Sequence, residues 1–254
     1  MVVRYASKIK HIRSQYTTRL ADSRKTILDH DEIDTLEFRK DMMIMWKDTI
    51  IRSVAVNNHQ ENNGLPTLPV HVVMKAGNIL SDIMVLLKKK DITILEIMAG
   101  NCSGSRILLN TIKKKLNVTK WISTDIIDFT KKIKEDELDF YKLNGLDAVH
   151  TFYHESDVLL IMCPPPNKVK LSDGTINPMS LCDYYSIVDF TDLNPDKQKL
   201  IVFIAELGAS SGTEGLYDFM MTNPKLDMIH REMLIKGHNE YGIYEMEIFI
   251  FTVL

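Results

Sequence analysis

The sequence predicts an α/β protein with a doubly wound sheet of about seven strands, mostly parallel, with an antiparallel C-terminal strand and an N-terminal helical segment. Short β-rich runs alternate with helical stretches after residue 91. Such alternation is typical of parallel strands with helices on both sheet faces. Small residues follow the first strand, and two apolar strand-length runs near the C-terminus are joined by a polar, glycine-containing stretch, which predicts a terminal hairpin.

The predicted strands begin at seven positions, which are Ile92, Trp121, Phe140, Val158, Leu200, Leu226 and Tyr244. Helices are expected over residues 106–116, 179–190 and 215–221, with a further helix over 70–90 before the first strand. The last two strands are expected to be joined by residues 237–242.

The chain is predicted to divide into residues 1–69, a helical segment with a linker, and residues 70–254, the sheet domain. Apolar residues recur at three- and four-residue steps from Val2 to Leu20, which predicts an amphipathic helix. A second helix is expected over residues 31–56. Residues 57–69 are rich in Asn, Gly and Pro, which is typical of a linker.

The composition is that of an ordinary globular protein, with 45% hydrophobic and 26% charged residues and a net charge of −3. Because no apolar run approaches the ~18 residues that a membrane helix needs, no membrane association is expected.

Three cysteines lack metal-binding spacing, which predicts reduced thiols and a cytoplasmic protein without a metal site. His150 and His154 have a suitable spacing for a metal but no evident third ligand.

Residues 1–25 contain seven Lys or Arg and one acidic residue. Their basic face predicts a possible contact with RNA or DNA. The favoured interpretation is that the apolar stripe of this segment packs on the domain, and a mitochondrial targeting peptide is a third alternative. The sequence does not indicate an oligomeric state.

Candidate site residues lie where the strands end, because ligands of open parallel sheets bind at the carboxyl edge. The first strand, Ile92–Ile97, has Glu96 near its end and is followed by the small residues Ala99, Gly100, Asn101, Ser103 and Gly104. Such residues permit a tight turn that brings backbone N–H groups close to a ligand. Asp125 ends the second strand, where a carboxylate can accept hydrogen bonds from a ribose diol.

The run ILEIMAGNCSGS resembles the first motif of class I, Rossmann-like S-adenosylmethionine-dependent methyltransferases, an apolar strand followed by ExGxGxG. Glu96 matches the acidic position and Gly100 the central glycine, whereas Met98 and Cys102 replace glycines. The resemblance implies a Rossmann-like fold with S-adenosylmethionine as the cofactor. It implies that the loop containing Glu96, Ala99, Gly100 and Asn101 surrounds the methionine part.

The same resemblance extends to the next two strands. It implies that Asp125 binds the ribose and that Ile126 flanks the adenine. It also implies that Asp147 and Ala148, after the third strand, lie in the loop that recognises the adenine amine.

The fourth strand ends in Cys163, Pro164, Pro165 and Pro166, which resembles the family's loop facing the transferred methyl group. Amino-methylating members have a polar residue, two prolines and an aromatic residue there, so Cys163 and Pro166 depart from the pattern. The resemblance implies that Cys163, Pro164 and Pro165 are catalytic-loop residues. Glu206, at the end of the fifth strand, is expected to be an orienting acceptor or general base. Alternatively, it caps the following loop.

The sequence therefore predicts an S-adenosylmethionine-dependent methyltransferase acting on a nitrogen or oxygen acceptor, with nucleic acid among the possible acceptors. The alternative is a catalytically degenerate protein of the same fold that serves as a binding or scaffold module. A dinucleotide enzyme is the nearest competing class, but its GxGxxG motif is absent. A third hypothesis is a nucleic-acid-binding protein that uses residues 1–25.

Overall fold

The computed structural model describes residues 68–100, 102–126, 138–164, 167–193, 198–206, 211–239 and 242–254. The predicted helices before residue 57 and the linker up to residue 67 lie outside these residues, so the division into two domains stays a prediction. Asn101, Pro165 and Pro166 also lie outside them.

The described chain alternates between helices and strands, as predicted. The helices are α1 (Val70–Leu86), α2 (Ser103–Ile112), α3 (Gly145–Phe152), α4 (Tyr184–Asp192) and α5 (Leu216–Thr222), and a 3₁₀ helix spans Pro178–Cys182. The strands are β1 (Asp91–Ile97), β2 (Asn117–Asp125), β3 (Asp139–Lys142), β4 (Val158–Met162), β5 (Leu200–Glu206), β6 (Leu226–Asn239) and β7 (Gly242–Val253).

The seven strands form one sheet in the order β3-β2-β1-β4-β5-β7-β6. All described pairs up to β5 are parallel, and β7 is antiparallel to both of its neighbours, β5 and β6. The predicted fold class is therefore confirmed. Since the chain moves outward through β2 and β3 and then returns to place β4 beside β1, the strand order reverses between β1 and β4. In a doubly wound sheet this reversal is where a ligand crevice forms.

Apolar side chains cover both faces of the central strands. One face packs against α1 and α2 in a cluster that includes Val73, Leu80, Met84, Leu108, Ile112, Ile94, Leu160 and Val202. The opposite face carries Leu95, Ile97, Leu159, Ile161 and Phe203, all buried, on the side where α3, α4 and α5 bury Val149, Ile187, Phe190 and Met220. Burial on both faces explains why β4 and β5 are continuous apolar runs.

Several element boundaries differ from the predictions. The helix predicted over residues 70–90 ends at Leu86, and Lys88 adopts a left-handed φ of 58° although it is not a glycine. The helix predicted over 106–116 begins three residues earlier, at Ser103, because small residues that resemble a loop form its first turn. The helix predicted over 179–190 is divided into the 3₁₀ helix and α4.

The C-terminal hairpin is longer than predicted, since β6 and β7 remain paired up to Asn239 and Gly242. β6 lies at the edge of the sheet and contains two register shifts, one between Met228 and His230 and one between Met233 and Ile235. None of the described helices is both long and apolar enough to cross a lipid bilayer.

Candidate functional site at the carboxyl edge of the sheet

The loop after β1 keeps a backbone suited to glycine at positions where glycine is missing. Met98, Gly100 and Cys102 have φ angles of 61°, 55° and 58°. This left-handed region is unfavourable for residues with a Cβ. Backbone hydrogen bonds hold the loop, from Ala99 N to Thr124 O and from Cys102 N to Ala99 O, both at 3.0 Å. Met98 and Cys102, which stand where the resembling motif has glycines, therefore adopt the backbone conformation that glycine favours.

This loop is tied directly to the end of β2. Gly100 N donates a hydrogen bond to Asp125 Oδ2 at 3.0 Å. A Cβ added to Gly100 would meet no heavy atom within 4 Å, so the space above the glycine is open. Ile126, the next residue after Asp125, is 40% exposed. A carboxylate held by a backbone N–H thus lies next to an open space, and the residue after this carboxylate in the chain has an exposed apolar side chain.

Glu96 lies beneath the loop and not in the open region. Its side chain is completely buried, and Oε2 accepts hydrogen bonds from Trp121 Nε1 at 2.9 Å and from Ser123 Oγ at 3.0 Å. Burial raises the pKa of Glu96, against the lowering effect of hydrogen bonds from Ser105, Trp121 and Ser123. Without exposed area the carboxyl group has no surface for direct ligand contact, so any contribution to binding acts through the loop.

Two atoms near Glu96 lack full hydrogen-bond geometry with any described residue. These atoms are Glu96 Oε1 and Ser105 Oγ, both buried. Ser105 nevertheless lies close enough to lower the pKa of Glu96. A neutral carboxyl group satisfies this arrangement, because its O–H can donate to the serine oxygen while Oε2 accepts from Trp121 and Ser123.

Cys102 is part of the same buried region. Burial, together with the nearby Glu96, raises the pKa of the Cys102 thiol to about 12. The side chain is therefore a neutral, packed thiol in the position of a motif glycine. A reactive cysteine would require a lowered pKa and exposure.

Asp147 and Ala148 lie in the first turn of α3. Asn144 caps this helix, since Asp147 N donates to Asn144 Oδ1 at 2.8 Å and Asn144 Nδ2 donates to Asp147 Oδ2 at 2.7 Å. Asp147 is exposed, whereas Ala148 is completely buried. Asp147 therefore makes a capping contact, and its recognition of adenine stays a prediction. Because the side chain of Ala148 is buried, it offers no surface to a ligand.

The end of β4 lies beside the loop after β1, because Ile97 pairs with Ile161. A Cβ on Gly104, in the first turn of α2, would overlap the methyl group of Met162. The first turn of α2 and the last residue of β4 are therefore in close contact at Gly104.

Cys163 follows β4 in a left-handed conformation with a φ of 52°. Its N–H donates to Ile204 O at 2.7 Å, and its Sγ lies 4.0 Å from Met246 Sδ. Pro164 O accepts a hydrogen bond from Gly212 N at 3.0 Å. In the methyltransferase family that this loop resembles, a backbone carbonyl and a polar side chain hold the target amine. Here the carbonyl of Pro164 has one lone pair left for a second donor, and the side chain of Cys163 is a thiol, a weak acceptor.

Glu206 is the last residue of β5 and pairs with Met246. The strand therefore ends at the same edge as β4, as predicted, and the role of the Glu206 side chain stays a prediction.

The two histidines with metal-compatible spacing lie on and after α3. His150 Nε2 lies 2.6 Å from Asp189 Oδ2, while α3 ends before His154. Within the described ranges no group of three or more His, Cys, Asp or Glu side chains could hold a metal ion.

The residues that sequence reasoning missed lie on the other side of the β4 loop. Asp183 is completely buried and accepts hydrogen bonds from Tyr184 N at 2.5 Å and from Thr213 N at 2.7 Å. No motif marks either Asp183 or Thr213. The only sequence signal is an acidic residue just ahead of the apolar stretch of a predicted helix.

No protein-family model matches the chain, and no curated protein matches it in sequence. Comparison with solved structures finds similar folds at low sequence identity. A protein from Listeria monocytogenes described as a class I S-adenosylmethionine-dependent methyltransferase is 11% identical, with 95% of this chain and 80% of that chain covered and a TM-score of 0.49.

An rRNA methylase from Streptococcus thermophilus is 6% identical, with 74% of this chain and 98% of that chain covered and a TM-score of 0.47. The 1,6-didemethyltoxoflavin-N1-methyltransferase of Burkholderia thailandensis, solved with its substrate and S-adenosylhomocysteine, is 10% identical, with 85% and 87% covered and a TM-score of 0.45. Such values carry no conclusion about activity, and the fold assignment rests on the strand order itself.

Proposed function

We propose that this chain is an S-adenosylmethionine-dependent methyltransferase. The observation that carries the proposal is the hydrogen bond from Gly100 N to Asp125 Oδ2 beside an open space, at the carboxyl ends of β1 and β2 and next to the reversal of strand order between β1 and β4. This is the place where a doubly wound sheet binds a nucleotide. The left-handed backbone at positions 98, 100 and 102 supports the same assignment, since it keeps the turn that the methyltransferase motif requires.

Each part of the cofactor has candidate residues in this chain. Asp125 would accept the ribose hydroxyl groups, and Ile126 would lie against the adenine ring. Ala99, Gly100 and Asn101 would surround the methionine part, while Glu96 supports their loop from beneath. When bound, S-adenosylmethionine supplies a methyl group on a positively charged sulfur, which makes the group ready for transfer to a nucleophile.

The acceptor would be held by the loops after β4 and β5. Cys163, Pro164 and Pro165 would form the wall on which a nitrogen or oxygen nucleophile is positioned, and fixed orientation alone can contribute several kcal/mol to the rate. Since a thiol is a weak hydrogen-bond acceptor, Glu206 is the proposed group that orients the acceptor or removes its proton. We include nucleic acid among the candidate acceptors because residues 1–25 are basic. A cytoplasmic location is part of this proposal.

A catalytically degenerate protein is the second candidate. The hydrogen bond from Gly212 N to Pro164 O and the thiol of Cys163 support it, because the first occupies one of the two lone pairs of that carbonyl and the second is a weaker acceptor than the polar side chain of an amino-methylating loop. This protein would bind the cofactor without transferring its methyl group. Labelled methyl transfer from S-adenosylmethionine to total RNA, DNA or protein would exclude it.

The test of the first candidate is a calorimetric titration with S-adenosylhomocysteine. Asp125→Ala is expected to weaken binding at least tenfold, about 1.4 kcal/mol, because it removes the ribose acceptor. The matched control is Asp139→Ala, which removes an exposed acid at the start of β3, and this change is expected to leave the affinity unaltered. Absence of binding by the unaltered protein at millimolar ligand, or equal affinity in the Asp125→Ala variant, would refute the proposal.

A further inference from the structure

The loops after β4 and β5 are joined to each other by backbone hydrogen bonds. Gly212 N donates to Pro164 O at 3.0 Å, and Asn167 N donates to Gly212 O at 3.2 Å. A third bond joins Glu214 N to Asn167 O at 2.7 Å. We call residues 211–215 the support loop, because the backbone position of Pro164 depends on them.

Asp183 holds the support loop from the side of α4. The carboxyl group is completely buried, and it accepts hydrogen bonds from Thr213 N at 2.7 Å, from Thr213 Oγ1 and from Tyr184 N at 2.5 Å. Two of the three donors belong to Thr213, which is itself buried. If the carboxylate were lost, the N–H of Thr213 would remain buried without an acceptor, which is energetically costly.

The charge state of Asp183 strengthens these contacts at neutral pH. Burial raises the pKa of Asp183 to about 6, against the lowering effect of the hydrogen bonds from Thr213 and Tyr184. Above this pH the carboxylate is ionised, and its hydrogen bonds are charge-assisted. A charge-assisted contact inside the protein restricts the support loop more strongly than a neutral one.

The segment that carries Asp183 also lies against the start of α3. A Cβ on Gly145 would come within 2.5 Å of both Cys182 O and Ser186 Oγ. The position of Asp183 is therefore set by tight packing on one side, and its carboxylate sets the position of the support loop on the other.

We propose that Asp183 is the positioning residue of the acceptor side: by holding Thr213 it fixes the support loop and, through Gly212, the backbone of Pro164. This inference rests on the proposed function, in which the residues after β4 hold the methyl acceptor. On the cofactor side, a separate hydrogen bond from Gly100 N to Asp125 Oδ2 holds the loop after β1. Asp183 therefore controls methyl transfer and leaves cofactor affinity nearly unchanged.

The experiment compares three variants of the full chain with the unaltered protein. Asp183→Asn keeps the shape of the side chain but replaces one acceptor oxygen by a donor. Thr213→Val removes the hydroxyl group that contacts Asp183, and Thr213→Ser, the matched control, keeps it. Hydrogen exchange is measured at the amides of Cys163, Asn167 and Lys168, since the three prolines between them carry no N–H, and for peptides covering 211–216, with peptides covering 94–100 and 119–125 as the internal reference.

Two further readouts distinguish positioning from general destabilisation. S-adenosylhomocysteine affinity is measured by calorimetry, and the initial rate of labelled methyl transfer is measured with total RNA and total protein as acceptors. Asp183→Asn and Thr213→Val are expected to increase exchange at both loops about tenfold. They are expected to lower methyl transfer about tenfold while the Kd for S-adenosylhomocysteine changes by less than about threefold. Thr213→Ser is expected to behave like the unaltered protein.

The inference is overturned if exchange at residues 163–168 is unchanged in both test variants. It is also overturned if the affinity for S-adenosylhomocysteine falls as much as the transfer rate, because Asp183 would then act through the cofactor side. Failure of the unaltered protein to bind S-adenosylhomocysteine would instead end the proposed function. The exchange measurement needs no ligand, so these two failures are distinguishable.

Discussion

Replacement of Glu96 by Gln is expected to be nearly neutral for stability, although the acidic residue belongs to the motif that resembles a cofactor loop. A glutamine carbonyl in the place of Oε2 would keep the hydrogen bonds from Trp121 Nε1, now 2.9 Å, and from Ser123 Oγ, now 3.0 Å. Its NH₂ group would take the place of Oε1 and could donate to Ser105 Oγ. At pH 4.5, where the folded protein holds the proton of Glu96, we expect the free energy of unfolding to change by less than about 1 kcal/mol.

Glu96→Ala is expected to cost much more. It would leave two buried donors without an acceptor, at about 1–3 kcal/mol each, and it would open a cavity beneath the loop. The expected loss is therefore at least about 3 kcal/mol. Glu155→Gln is the matched control, because Glu155 lies at the surface in an ion pair with Lys120 and is expected to contribute little.

The pH dependence of the free energy of unfolding tests whether Glu96 is protonated in the folded protein. Burial raises the pKa of Glu96 above 4.5, so the folded protein holds this proton at pH values where the unfolded chain has lost it. The stability that this bound proton contributes is fully present below pH 4.5. It is lost as the pH rises through the raised pKa of Glu96 in the folded protein. The unaltered protein should therefore lose stability relative to Glu96→Gln as the pH rises, by at most about 1.4 kcal/mol per pH unit.

Urea denaturation of both proteins between pH 4.5 and 8.5 measures this difference, and calorimetry with S-adenosylhomocysteine shows whether the loop is preserved. We expect the Gln variant to keep its affinity. A loss of more than about 2 kcal/mol in the Gln variant, or a stability difference that moves in the opposite direction with pH, would show that Glu96 is a buried anion. The reasoning from its hydrogen bonds would then be wrong.

Gly145→Ala is expected to lower the free energy of unfolding by about 1–3 kcal/mol in spite of the better helix propensity of alanine, because the new Cβ would overlap Cys182 O. Urea denaturation measures this, and an unchanged midpoint would show that the two segments separate easily. Exchanging Lys8 and Arg13 for Glu is expected to weaken RNA binding and to lower the slope of log affinity against log salt by about 2. Filter binding at several salt concentrations measures the slope, and an unaltered slope would show that Lys8 and Arg13 do not contact the phosphates.

The order of the elements could be predicted from the sequence because apolar runs and their interruptions follow the sheet closely. Val158–Met162 was predicted with its final boundaries, since a strand buried on both faces is a continuous apolar run ended by proline. The hairpin connection was predicted too long, because Gly237 and the polar residues near it resemble a loop although the strand pairing continues through them. Local composition does not show where a long hairpin stops pairing.

The candidate site was predictable only in part. Gly100 and Asp125 were identified because a glycine after one strand and an acid after the next are local signals, and the structure brings them together. The left-handed conformations of Met98 and Cys102 were not predictable, since these side chains disfavour such a backbone. Asp183 was missed because its role depends on Thr213, 30 residues away, a contact that only the folded chain creates.

The two register shifts in β6 affect how readily another strand can pair with the edge of this sheet. β6 is 14 residues long and occupies one margin of the sheet, where a regular strand would offer a template for another chain. Each shift interrupts the even spacing of backbone donors and acceptors and increases the local twist. Near the second shift, Lys75 of α1 donates to Met233 O at 2.6 Å and forms an ion pair with Glu232. An incoming strand would therefore meet an irregular, charged border on which continuous pairing is disfavoured.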